Sequence, residues 1–430
     1  RAAMDTEPQS RSSGDSSISS GGKKTPREEI LMQPDVYIGS IEKRTQKLWV
    51  YEGAWMKHRE VTYVPGLYKI FDEVLVYAAD NKQHDPTMDH LIVEIDAAQC
   101  RISVFYDGDG DGIPIEVHSQ EEGVYVPEMV FGHLSNCDPN VEEVSSGRSS
   151  YGIKLANIFS TEFVVEIADR RRERKYKQVF SENMGKKSEP QVTFSLHGAN
   201  WTKFTFKPDI AKFNMTHLDD DATALLGKRV VDIAAILAPT TLQVSFNGKR
   251  LPRFPGFPTY VNMYLDAALL SPTWKPTERI PRIIEKFDDQ VEVVVSLTEG
   301  EFDQVSFVNK AATFAGGPHV DYVLKQITEF VASSLDNKGW GANTEEQEIK
   351  RHLWIFINML VENPTLGPPT KEALVGPLGG LESFKLSDLF YIAVRECLLS
   401  RLIPPWSAPE RQDKPKRGLK KDEQKRGLKR

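Results

Sequence analysis

From Val64 to Gln83 the chain reads VPGLYKIFDEVLVYAADNKQ, with apolar residues at Leu67, Ile70, Phe71, Val74, Leu75 and Ala78. Steps of three and four predict an amphipathic helix. Glu73, Tyr77, Asp80 and Asn81 fall on a different face, which on such a helix is ordinarily the solvated one. HLIVEID (90–96) and RISVFY (101–106) read as two strands of a hairpin. Further on, VEVVVSLTEG (291–300) and QVSFVN (304–309) read as strands, and 320–335 and 345–360 as helices. The two periods mix without a βαβ rhythm, which predicts an α+β fold in two regions, about 25–252 and 253–407.

Outside these regions the pattern fades. Residues 1–24 are rich in Ser and Gly and too polar to offset the entropy of ordering, so they are expected to be disordered. The other end, 408–430, repeats KRGLK at Lys416 and Lys425 and reads as a low-complexity tail. Within it, residues 411–430 hold ten Lys/Arg against three Asp/Glu, so the overall charge of −7 leaves −14 on the rest of the chain. An acidic body is a poor general binder of phosphate, whereas the tail reads as a nucleic-acid contact, an import signal or a plain solvated end. No apolar run reaches membrane-spanning length, and the first residues lack the apolar core of a signal peptide. Cys100, Cys137 and Cys397 are odd in number and far apart, which points to a reduced compartment, cytosol or nucleus.

Two further stretches carry candidate chemistry. DGDGDGIP (107–114) places Asp107, Asp109, Asp111 and Gly112 as in a calcium loop, but the twelfth position is His118 where a bidentate Glu is needed. The competing reading is a glycine loop, including Gly110, that lets a small planar ligand approach the backbone. In SSGRSSYGIKLANIF (145–159), Gly147-Arg148-Ser149-Ser150-Tyr151-Gly152-Ile153-Lys154 leads into an apolar helix. Unpaired N–H groups at a helix start, with Arg148 and Lys154 beside them, suit a phosphate; a Ser-rich helix cap has the same outline.

In this order the three motifs resemble the ATPase region of eukaryotic type IIA DNA topoisomerases, members of the GHKL superfamily. The resemblance runs from about Lys24 to Leu389. It includes PDVYIGSIEK, VTYVPGLYKIFDE, EEGVYVPEMVFGHL, YKQVFSENMGKKSEP, WTKFTFKPD, GGPHVDYV and NPTLGPPTKE, and is nearest to plant members. It implies a GHKL (Bergerat) two-layer sandwich of helices on a mixed sheet over 25–252, then an α+β transducer domain over 253–407. It also implies ATP and Mg2+ as cofactors, a homodimer closed through the N-terminal gate, double-stranded DNA as partner, and the nucleus as location. Glu73 takes the place of the general base, a role that needs positioning and a proton acceptor. Tyr77 occupies the family's magnesium-ligand position; Asp80, Asn81, Asp107 and Gly110 match positions near the nucleotide. Val130 and Phe131 match the adenine-side wall, Ser135 and Asn136 the ribose pair, and Thr205 a threonine beneath the base. Lys371, beside Thr370, matches the lysine that reaches the terminal phosphate, and Tyr37 lies in the arm that crosses to the other protomer.

The departures cluster at the same centre. A neutral phenol at Tyr77 is a poor ligand for a hard octahedral ion. The family's adenine-reading Asp/Asn falls on Tyr106 or Gly108. Ser146, Ser149 and Ser150 stand at family Gly, Asn and Gly positions; if the last requires φ > 0, Ser150 is strained by on the order of 1 kcal/mol. Pro369 replaces a glutamine, and the lysine-rich DNA loop keeps only Lys338. The resemblance stops before the family's DNA-cleavage regions, so strand passage is not expected of this stretch alone. Two readings remain: an ATP-hydrolysing gate, or a non-hydrolysing dimerisation module that forms mixed dimers with a full-length topoisomerase. A DNA-binding scaffold using the basic tail is a third.

Overall fold

The structure is a computed structural model that describes residues 24–119, 123–134, 150–195, 198–270, 280–336, 345–367, 369–378 and 384–402. In chain order its elements are α1 (Pro26–Met32), α2 (Pro34–Tyr37), β1 (Arg44–Glu52), β2 (Trp55–Tyr63), α3 (Pro65–His84), β3 (His90–Asp96), β4 (Arg101–Gly108), α4 (Val126–Gly132) and α5 (Tyr151–Ile158). There follow β5 (Ser160–Asp169), β6 (Arg174–Ser181), β7 (Lys186–Lys187), β8 (Gln191–Phe194), β9 (Asn200–Pro208), α6 (Asp220–Ile236), β10 (Gln243–Phe246), β11 (Lys249–Arg250) and α7 (Phe257–Leu269). The last are β12 (Ile283–Phe287), β13 (Val291–Leu297), β14 (Asp303–Val308), β15 (Ala311–Ala312), α8 (Pro318–Asp336), α9 (Glu346–Lys350), β16 (Leu353–Met359) and α10 (Asp388–Leu402). The fold is α+β, and the described residues divide into two compact units that do not follow chain order. One holds 24–43, 64–88 and 94–218, the other 44–63, 89–93 and 219–402.

In the first unit β4, β9, β5 and β6 form an antiparallel succession, with β7 and β8 both paired to β6. Alternation along β9 buries Thr202, Phe204 and Phe206 on one face. Helices α3 and α5 pack on each other and onto this sheet. α1 starts at a capping box, Thr25 accepting from the Glu28 N–H while Glu28 accepts from the Thr25 N–H. Arg27 then reaches the carbonyls of Glu182 and Asn183, fixing the N-terminal helices to the β6 turn. α3 begins with Pro65 at its first turn, where a missing N–H costs nothing, and Gly66 follows in a tight space where a Cβ would press on Ile38 and the Ser40 carbonyl.

In the second unit a five-stranded sheet runs β12-β13-β16-β14-β15, antiparallel except for the β14–β16 pair. Its two faces differ in chemistry. Leu353, Ile355, Ile357 and Met359 of β16 face an aliphatic core shared with α8 and α10, while Trp354 and Phe356 join Tyr264 and Trp49 in an aromatic layer. The helix expected over 345–360 is therefore α9 followed by β16, the middle strand of the sheet. A continuous apolar run such as LWIFINM has no period to distinguish a buried strand from a buried helix. The β1–β2 hairpin belongs to this unit as well. Arg59 pairs with Asp221 at 2.6 Å and the Thr62 N–H donates to the same carboxylate at 2.8 Å, tying the hairpin to the first turn of α6.

Candidate functional site

The face of α3 that carries Glu73, Tyr77, Asp80 and Asn81 is not solvated: Tyr77 and Asn81 are buried, Glu73 and Asp80 partly so. It lies against α5, the helix that follows the serine-rich cradle. Two charged groups meet on this seam. The Lys69 ammonium pairs with the Glu73 carboxylate one turn on, and Lys69 is almost wholly enclosed. A Cβ at Gly152, on the first turn of α5, would overlap that same carboxylate, so the acid sits directly on the backbone of the cradle helix. Only glycine allows this approach.

Ser150 is the N-cap of α5 with φ −93° and ψ −2°, and its side chain makes no capping hydrogen bond among the described residues. Its φ is negative, so the left-handed strain expected for a serine at a glycine position is absent; the helix closes around Ser150 in an ordinary conformation. Ile153 and Lys154 are buried on the same helix, and Tyr151 is partly buried. Ser135, Asn136, Gly147, Arg148 and Ser149 lie outside the described residues.

Beyond Glu73 the seam turns aromatic. Tyr77 meets Phe131 and Phe204 edge-on, each at 5.9 Å between centroids, and Phe131 meets Phe204 at 5.1 Å. Tyr106 adds a fourth ring, 6.4 Å from Phe204, and its buried hydroxyl has no hydrogen-bond partner among the described residues. Phe131 and Val130 come from α4, whose buried Glu128 accepts from Gln178 at 2.7 Å and pairs with Lys187 and His133. Burial alone would raise the Glu128 carboxyl; those three partners outweigh it and hold it below its ordinary range.

Strand alternation sorts two of the expected residues away from this cluster. Thr205 lies between Phe204 and Phe206 and so projects from the opposite face of β9, as Asp107 does on β4 beside Phe105. The threonine on the Phe204 face is Thr202, buried and in register with Tyr106. Thr202 was legible in WTKFTFKPD through the period of two, but the resemblance alone pointed to Thr205, three residues on.

The acidic glycine loop has a structural owner. The carboxylate of Asp85, just past α3, accepts from the Gly110 N–H at 2.8 Å and the Thr87 N–H at 3.0 Å, and a Cβ at Gly108 or Gly110 would collide with it. Asn200 accepts from the Arg170 N–H and donates to the Gly110 carbonyl, both at 2.6 Å. Asp109 and Asp111 pair with Arg170 and Arg171 at 3.4 and 2.6 Å, so the carboxylates point to arginines rather than converge on a cation. The calcium reading thus gives way to a loop docked on Asp85. Among the described residues no cluster of three or more His, Cys, Asp or Glu could hold a metal. Sequence reasoning missed Asp85 and Asn200 because their partners lie far away in the chain; it missed Lys69 although the i,i+4 spacing to Glu73 on one helix was a legible signal.

Lys371 and Thr370 belong to the second unit. Lys371 sits at the tip of a tight turn, with φ +61° and its N–H donating to the Gly367 carbonyl at 2.8 Å. A non-glycine residue in that region costs on the order of 1 kcal/mol, offset here by the Leu366–Leu374 bridge and the Gly367 N–H to Ala373 bond beneath it. Tyr37, partly buried, ends α2 in the first unit.

Residues 256–377 match the family model described as DNA gyrase B. The chain is 56% identical over 355 residues to DNA topoisomerase 2 of Arabidopsis thaliana, an alignment that takes in 82% of the chain but 24% of that relative's length. The chain thus spans about a quarter of the curated relatives it matches. Among solved structures, the ATPase region of Saccharomyces cerevisiae topoisomerase II matches with a TM-score of 0.75 and 40% identity, covering 88% of this chain and 96% of that one. The ATPase and transducer domains of DNA topoisomerase II from Balamuthia mandrillaris match with a TM-score of 0.74 and 41% identity over 87% and 94% of the two chains. With this fold, and with the acid seated on the cradle helix, the chain belongs to the type II DNA topoisomerase family and corresponds to its ATPase region.

Proposed function

We propose that the chain binds ATP along the α3–α5 seam and hydrolyses it, as the ATP-operated dimer gate of a type II DNA topoisomerase. The observation that carries this is the Glu73 carboxylate held by Lys69 against the Gly152 backbone. A helix start whose N-cap serine makes no capping bond among the described residues offers N–H groups and partial positive charge to a phosphate, and a carboxylate beside it is placed to orient a water and take its proton. In this reading Lys154 and Arg148 add charge to the cradle, Val130 and Phe131 wall the base, Ser135 and Asn136 hold the ribose, and Lys371 answers the terminal phosphate. Tyr37 lies in the arm that reaches the partner protomer of a homodimer, and duplex DNA is the substrate of the assembly. Its basic segment 411–430 supplies DNA contact and nuclear import; the salt dependence of duplex binding with and without that segment tests the DNA part.

Magnesium fits less well than the nucleotide. When bound it neutralises phosphate charge, but Tyr77 offers a phenol packed between Phe131 and Phe204 instead of an amide oxygen. This favours a second reading, a nucleotide-binding dimerisation module with impaired hydrolysis that forms mixed dimers with a full-length topoisomerase. Calorimetry with ATP, with and without magnesium, alongside phosphate release, separates the two. Magnesium-dependent binding with turnover supports the gate; binding indifferent to magnesium without turnover supports the module; absence of binding overturns both.

A further inference from the structure

The second unit contains a cavity of about 850 Å³ that no residue assigned to the nucleotide lines. It opens beside the aromatic layer, between the β1–β2 hairpin, the end of α7 and the turn from β13 to β14. Its apolar wall is built on a stack of rings: His58 lies on Trp49 at 4.9 Å and 10°, and Trp49 lies on Trp354 at 5.6 Å and 24°. Trp55, more than half exposed, and Phe302 extend this wall. The size and the mainly apolar lining with a few polar groups are those of small-molecule sites. Burial lowers the His58 imidazole pKa, so the stack carries no cation of its own near neutral pH.

The charges on the lining are unequal in what they answer. Lys57 and Arg59 both pair with Glu52, and Arg59 also with Asp221. Asp303, Glu299 and Glu301 make no ion pair among the described residues. Asp303 accepts from the Trp49 indole N–H at 3.3 Å and from the Gln304 N–H at 2.7 Å, which fixes the carboxylate at the foot of the ring stack. Burial pushes its carboxyl up, the Trp49 and Gln304 N–H bonds and the nearby charges of His58 and Lys228 offsetting this only in part. Lys350 lies 4.9 Å over the ring of Phe302, so that lining ring already carries a cation on one face.

We propose that this cavity binds a small organic cation with a flat apolar body, its charge answered by Asp303 and its body lying against the Trp49–Trp354 wall. A carboxylate framed by indoles discriminates for charge and for aromatic or alkyl substituents together, as in sites for quaternary ammonium groups.

The test uses the full chain labelled with 5-fluorotryptophan and two probes of matched shape, phenyltrimethylammonium and neutral tert-butylbenzene, followed by fluorine NMR. The cation is expected to shift the Trp49 and Trp354 resonances, assigned by Trp→Phe variants, and to bind about ten-fold tighter than its neutral twin. Asp303→Asn should abolish that preference while leaving tert-butylbenzene affinity in place. Should Asp303→Asn lose its fold, the exposed pair Glu299→Gln/Glu301→Gln carries the same comparison, with an expected loss of about two- to three-fold for the cation alone. Equal affinity for the two probes, shifts confined to tryptophans away from the cavity, or undiminished selectivity in both variants overturns the proposal.

Discussion

The two compact units bury polar groups to different ends. In the second, two buried groups are answered by neighbours of their own unit: Asp232, fully enclosed, accepts from Lys228 at 2.9 Å and Tyr260 at 2.6 Å, and the His319 Nε2 lies 3.0 and 3.1 Å from the Ser306 and Thr313 hydroxyls, while its Nδ1 has no hydrogen-bond partner among the described residues. In the first, Lys69, Asn81, Ser150 and Lys154 are buried along one seam between two helices, together with Glu73. Groups that answer one another inside a unit stabilise and specify packing, whereas polar and charged groups aligned along a helix start are placed to meet a charged ligand as well. Buried polarity alone therefore does not mark a site; its alignment on one edge does.

The sharpest way to break this distinction is at Glu73. Glu73→Gln is expected to lower ATP turnover at least about 100-fold while leaving nucleotide affinity within about three-fold, because a base acts on the water and not on the bound nucleotide. Phosphate release and calorimetry read the two effects separately. Loss of binding instead would make the Lys69–Glu73 pair a structural network like that of Asp232.

Tyr77 tests the same seam from its aromatic end. Tyr77→Asn removes a ring from the Phe131–Phe204 cluster and is expected to destabilise the chain by about 3 to 4 kcal/mol, as for other large-to-small core changes. It should nevertheless raise magnesium-dependent turnover of the folded protein, by about ten-fold, by supplying an amide oxygen to the metal. Urea denaturation and turnover at saturating ATP measure the pair. Lower stability with unchanged or lower turnover would show that Tyr77 is not the main obstacle to hydrolysis.

What the sequence made legible follows the reach of each interaction. The helix over 65–84 was accessible because its periodicity is local, whereas the approach of Glu73 to the Gly152 backbone was not read from the sequence. The α+β class and family followed from the same stretches. The strand at 353–359 was not, since its apolar run has no period. Nor was Thr202, where a match by resemblance settled on Thr205 although the Phe204 alternation excludes it. Asp85 was invisible for a different reason: its hold on Gly110 spans 25 residues, and a lone aspartate after a helix looks like any turn residue. The φ of Ser150 likewise depends on how the α5 start is packed, which no pattern reports.

In the second unit, the burial of His319 beside the Ser306 and Thr313 hydroxyls predicts a pH effect on stability. Burial lowers this imidazole to about 4 from an ordinary 6.5, so the folded chain keeps it neutral. Stability from that source is present above pH 6.5, where unfolded and folded forms are both neutral, and is lost as pH falls toward 4, by about 3 kcal/mol. Urea midpoints compared between pH 7.5 and pH 4.5 should fall more in the parent than in His319→Leu. An identical fall in both would assign the acid sensitivity to carboxylates elsewhere.

The smallest effect decides who owns the glycine loop. If Gly110 is a glycine because the Asp85 carboxylate occupies the space of a side chain, the two residues are energetically coupled. Asp85→Ala removes the acceptor of the Gly110 and Thr87 N–H groups and is expected to cost about 1 to 2 kcal/mol. Gly110→Ala should cost a similar amount in the parent through collision, and less in the Asp85→Ala background, where the carboxylate is gone and only the residue-85 Cβ, 3.1 Å away, remains to give. The coupling, about 1 kcal/mol, is read from a double-mutant cycle in urea without nucleotide. Additive costs would mean that the loop does not need glycine for Asp85. In that case a matching drop in ATP affinity for Gly110→Ala alone would return the loop to the reading of a close backbone approach to a planar ligand.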